Sequence, residues 1–196
     1  LLQQFGFDDL AEKHFTRLRN DSDQDLRLSG LLGLASMKRL QAAAAKRANP
    51  AGAEALFADA IKLYEDFLRQ GTGHPERGTA LRELSDIKKE RALALVRAAA
   101  EEKDADKKKA MLREAESIFD ALATPLGEEA KRARERFVKS WEDTKKEDMK
   151  LMEAAVLTMQ PYYLLLLEKA AEVYEPDSDK RKRLGEKLVK GLRHTS

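Results

Sequence analysis

The chain has 196 residues, with 37 Lys and Arg against 35 Asp and Glu for a net charge of +2, and it holds no cysteine. That length buries well over half of the unfolded surface without help from a disulfide or a metal. The missing cysteines exclude disulfide frameworks, thiolate zinc sites and cysteine nucleophiles. With 42% hydrophobic and 6% aromatic residues and only 15 glycines and prolines, the composition fits amphipathic helices and argues against a sandwich, a barrel or a disordered chain.

Apolar residues recur every three or four positions almost throughout, so an all-α fold of about seven to nine helices and no sheet is expected. A first helix carries Leu10, Ala11, His14, Phe15 and Leu18 and stops at Asn20-Asp21. A second, from about Gln24 to Arg47, carries Leu28, Leu31, Leu32, Ala35 and Leu40, and Asn49-Pro50-Ala51-Gly52 ends it. A third carries Leu56, Ala60, Leu63, Tyr64 and Phe67 up to Gly71-Thr72-Gly73. His74-Pro75 opens the fourth, whose stripe is Leu81, Leu84, Ile87, Leu95, Ala98 and Ala99. Asp104 or Asp106 caps the fifth, with Met111, Ala115, Ile118, Phe119 and Leu122 inside. Thr124-Pro125-Leu126-Gly127 predicts a break, and the sixth helix follows with Ala130, Ala133, Phe137, Trp141 and Thr144 on one side.

A repeat underlies these helices. Ala11-x3-Phe15-x2-Leu18, Ala60-x3-Tyr64-x2-Phe67 and Ala115-x3-Phe119-x2-Leu122 share one pattern, and Ala170-x3-Tyr174 begins a fourth copy that Pro176 cuts short. The alanines lie 49, 55 and 55 residues apart. Small-then-aromatic spacing lets two helices approach closely while the ring fills the gap to the next pair. In these residues, and in Leu32-Gly33, the chain resembles the tetratricopeptide-repeat family and its longer-helix relatives. Ser29 and Ser36 stand where that family has Trp and Tyr, and the period of about 50 exceeds the usual 34. The resemblance implies a right-handed stack of antiparallel helical hairpins over residues 1–176, a TPR-like α-solenoid that presents a concave face to a peptide or protein.

The expected catalytic, metal-binding and cofactor signatures are missing, and the sequence reads as a non-enzyme. His14, His74 and His194 are scattered and none sits in an H-E-x-x-H frame; His14 beside Phe15 reads as a partly buried structural residue. Asp21-Ser22-Asp23-Gln24-Asp25 imitates the start of a calcium loop, but its sixth and twelfth positions are Leu26 and Leu32, so a helix cap is expected. The glycines around Gly71 follow a helix rather than a strand and lack the Lys-Ser/Thr of a phosphate loop. Glu142 with Lys146 is an ordinary i,i+4 surface pair, and Trp141 with Phe137 reads as core packing.

Two features point to a partner. Residues 154–167 pass without a charge, bracketed by Glu153 and by Glu168-Lys169. The run is too short to span a bilayer, and Pro161 should kink or break it. It reads either as a buried central helix or as an apolar surface for a partner subunit, with Tyr162, Tyr163, Leu164 and Leu167 as contacts. Asp177-Ser178-Asp179 then caps a C-terminal helix over 177–196, striped by Leu184, Leu188 and Leu192. From Lys180 onward its net charge is +6, leaving −4 for the first 179 residues. Such a helix either caps the array or contacts a partner through Arg181, Arg183, Leu188 and Leu192. A protein partner is the leading expectation. Nucleic acid or an anionic membrane surface, bound through the basic helix, is the alternative. A helical accessory part of an enzyme is a third, and no small-molecule substrate is evident. No membrane-spanning helix is expected, and cytoplasm and bacterial envelope both fit. The start Leu1-Leu2-Gln3, with neither Met nor a basic leader, is that of a processed chain or a piece of a longer one.

Overall fold

A computed structural model describes residues 8–140, 146–174 and 177–193. They form seven α-helices: α1 (Asp8–Arg19), α2 (Gln24–Ala45), α3 (Pro50–Gln70), α4 (Arg77–Glu101), α5 (Ala105–Ser140), α6 (Lys146–Ala171) and α7 (Asp179–Arg193). No strand occurs among the described residues. Trp141, Thr144, Pro176 and His194 lie outside them, as does the side chain of Leu192. The chain divides into two compact units, residues 1–87 and 88–196, with the boundary inside α4.

In the first unit the polar turns are caps. Asp23 accepts from the backbone N–H groups of Asp25 and Leu26 at 2.8 and 3.1 Å, which is the role of the calcium-like sequence. Asn49 accepts from Gly52 at 3.0 Å, and Pro50 takes the first helical position. The segment 49–52 therefore opens α3, and Gly52 lies inside its first turn, where a Cβ would overlap the Asn49 amide. The core joins Leu28, Leu31, Leu32 and Ala35 of α2 to Ala60, Tyr64 and Phe67 of α3 and to Ala80, Leu84 and Ile87 of α4. Ala11 of α1 packs on Leu34 and Met37. The stripes narrow at their ends: Leu10 is 54% and Leu40 46% exposed. His14 is exposed, its ring tilted 5.5 Å from that of Phe15. His74-Pro75 stays in the turn before α4, because the His74 ring packs edge-on against Phe67 at 5.1 Å and its Nδ1 accepts from the Glu76 N–H at 3.2 Å.

In the second unit Asp104 caps α5, accepting from Asp106 and Lys107 at 2.9 and 3.1 Å. The break expected at Thr124-Pro125-Leu126-Gly127 does not occur, and the predicted fifth and sixth helices are one helix, α5. Leu126 is fully buried, and Gly127 faces the ring of Tyr163, whose Cζ would stand 3.1 Å from an added Cβ. Pro161 likewise sits inside an unbroken α6. Each proline removes the donor that would bond the carbonyl one turn earlier, Ala121 or Leu157. Ala121, Pro125, Leu157 and Pro161 are all exposed, so water can take those carbonyls while the opposite faces stay packed. Phe119 is 1% exposed, and Ala115 and Leu122 are buried beside it.

Candidate functional site

Two places in the fold concentrate chemistry, one in each unit. The first is an open cleft of about 270 Å³ in the first unit, lined by Phe15 of α1, Ser29, Leu32, Gly33 and Ser36 of α2, Glu76 of the turn before α4, and Thr79 and Glu83 of α4. Its floor is a hydrogen-bonded joint. One oxygen of Glu83 accepts from Ser36 at 3.0 Å and from the phenol of Tyr64, and the other pairs with Arg39 at 3.2 Å. Burial first, then donation to Glu83 and its charge, hold the Tyr64 phenol well above its ordinary range. Tyr64 is therefore a fixed donor at neutral pH and Glu83 has both oxygens engaged, so the floor ties α2, α3 and α4 together. Ser36, a small hydroxyl residue on α2, makes this polar joint possible. Arg39 and Glu83 are 44 residues apart in sequence, and no local signal there announces the pair.

The second place is the surface of α6 and α7. Leu164 and Leu167, expected as partner contacts, are 8% and 0% exposed and belong to the packed face of α6 with Met159, Leu166 and Ala170. Tyr163 is half-buried against Gly127, and that burial raises its phenol pKa. Tyr162 is half-buried with Lys89 Nζ 5.1 Å from its ring centroid. Arg181 is also half-buried: its guanidinium donates to the Tyr174 carbonyl at 3.3 Å, and its N–H is capped by Ser178 at 3.3 Å. Lys180 pairs with Glu116, lies 3.8 Å from Asp120 and covers the Tyr174 ring. These contacts dock α7 onto its own unit. Leu188 is half-buried, and Arg183 is exposed beside Lys182, Lys187 and Lys190.

What α6 turns outward is a different set of residues. Leu157 is 65% and Leu165 45% exposed, with exposed Pro161 between them. Steps of four residues advance only about 40° around a helix, so the three form one apolar ridge. Glu153 precedes it, Glu168 and Glu172 follow it, and all three are exposed; Glu172 is paired with Lys169 at 2.7 Å. The charge-free run contained both leucines. Which of its faces stays open depends on the packing of α5 and α7, which periodicity alone does not supply.

Among the described residues no helix is long and apolar enough to cross a membrane, and no three His, Asp or Glu side chains are grouped to hold a metal ion. Compared with protein-family models, curated proteins and solved structures, the chain matches none.

Proposed function

We propose that the protein is a non-catalytic helical-repeat scaffold that binds a protein partner, within a larger assembly or as one part of a longer chain. The observation that carries this reading is the α6 ridge. While Met159, Leu164, Leu166, Leu167 and Ala170 of this helix are buried, Leu157 and Leu165 stand in water on one side of it. Covering two such side chains is worth about 1.5–3 kcal/mol each when burial is complete. Support for the repeat architecture comes from the equivalent positions: Ala60, Tyr64 and Phe67 are buried in α3, as are Ala115, Phe119 and Leu122 in α5.

The experiment compares capture from source extract by the wild-type chain and by a Leu157→Asp/Leu165→Asp variant, with helicity checked by circular dichroism. A protein retained by the first and lost by the second supports the scaffold. Equal recovery by both removes the ridge from the reading. The alternative, nucleic acid or an anionic surface on α7, draws support from the outward Lys182, Arg183, Lys187 and Lys190. It is favoured if the captured species is nucleic acid or lipid and is released steeply by salt.

A further inference from the structure

Resting on that reading of the ridge as a protein contact, we infer that its occupant is a helix of the partner, striped with leucine and edged with lysine or arginine. Shape is the first argument. Leu157, Pro161 and Leu165 make an i, i+4, i+8 row, and such a ridge is complemented by the groove between the corresponding rows of another helix. A strand would need an edge of backbone donors and acceptors, which α6 does not offer.

Charge is the second argument. The apolar row ends in carboxylates at both ends, Glu153 on one side and Glu168 and Glu172 on the other, all exposed. Lys169 pairs with Glu172 at 2.7 Å and also feels the charge of Glu168, so at that end two carboxylates face one ammonium. From Glu153 to Glu168 the helix rises about 22 Å, the length of about four turns of an opposing helix. Basic side chains at the two ends of such a helix meet carboxylates, and acidic ones meet like charge.

The test uses the full chain and two synthetic peptides of about 18 residues with the same leucine stripe, long enough to hold a helix against a surface. One carries lysine at every other position of the pattern and the second carries glutamate. Fluorescence anisotropy reads affinity, and backbone amide shifts read location. The lysine peptide is expected to shift the amides around Leu157 and Leu165 and to bind about tenfold more tightly than the glutamate peptide. Leu157→Asp/Leu165→Asp should abolish its binding, and Glu153→Lys/Glu168→Lys should weaken it several-fold with helicity unchanged.

Equal affinity for the two peptides overturns the charge assignment but leaves the ridge a protein contact if capture from extract still depends on Leu157 and Leu165. Unchanged lysine-peptide binding by the Asp variant, or no binding of that peptide to wild type, overturns the proposal. So does concentration-dependent self-association that the Asp variant abolishes, which would assign the ridge to a second copy of this chain.

Discussion

The phenol of Tyr64 in α3 donates to the carboxylate of Glu83 in α4, and the same oxygen accepts from Ser36 of α2 at 3.0 Å. Three helices thus meet at one atom, with Arg39 balancing its charge. Tyr64→Phe keeps the ring and removes the donor, and it should cost about 1–3 kcal/mol of unfolding free energy. Glu83→Ala should cost more, because it leaves Arg39 and two hydroxyls without their shared partner. Denaturant titration of both variants ranks them. A smaller loss for Glu83→Ala would mean that the joint does not hold the helices.

Alkaline pH should loosen the second unit through Tyr174. Burial first, then the nearby Asp120 carboxylate, pushes its phenol from 10.0 up to about 12. A raised folded value means that the folded protein holds this proton longer than the unfolded chain. The stabilisation is therefore complete below about 10 and is lost as pH rises through about 12. Phenolate absorbance and Tm followed across this window should show the loss, and Tyr174→Phe should reduce it. Tyr64 and Tyr163 shift in the same direction, so that variant keeps a residual loss at alkaline pH.

Gly30 and Gly33 seat α1 on α2, and they should differ in tolerance. A Cβ at Gly30 would overlap the backbone nitrogen of Arg19 and stand 2.7 Å from the Phe15 carbonyl oxygen, so only a shift of α1 relieves it. The three atoms nearest a Cβ at Gly33 all belong to the Phe15 side chain and none to the backbone of α1. Gly30→Ala should destabilise by about 1–3 kcal/mol or more, and Gly33→Ala by less. Thermal unfolding of the two variants decides the order.

Pro125→Ala tests the continuity of α5. If the helix runs through this position, restoring the N–H and removing the ring should stabilise the protein, by up to about 3 kcal/mol. A break or sharp turn at 124–127 would instead make the substitution neutral or harmful.

Phe119→Ala probes the core of α5. The ring is 1% exposed, and its loss should cost about 3–5 kcal/mol by equilibrium unfolding. A change within error would show that Phe119 does not fill an inter-helix gap.

The local chemistry of this chain was legible residue by residue. Asp23, Asp104 and Ser178 all cap helices, because a short polar side chain before an apolar period reaches the free N–H groups beside it; Asn49, read as the end of the second helix, instead caps the third. Tyr64, Phe67, Phe119 and Leu122 are buried, because helical spacing places them on one face whatever covers that face. The two prolines read differently. Their cost is local and visible in sequence, but the packing of Leu126, Gly127, Leu164 and Leu167 that outweighs it comes from helices distant along the chain. The same distance hid the Arg39–Glu83 pair.

The function of the apolar run divides along that line. Its composition by itself established a helix with more apolar surface than charge, bracketed by acids, since those properties depend only on which residues are present and on a 3.6-residue turn. Packing assigned the individual side chains. Leu164 and Leu167 face inward and Leu157 and Leu165 face water; Lys180 and Arg181 are engaged by Glu116 and Tyr174, and Arg183 faces outward. Periodicity defines the faces of a helix but not their neighbours. Which face is covered is set by contacts between segments far apart in the chain.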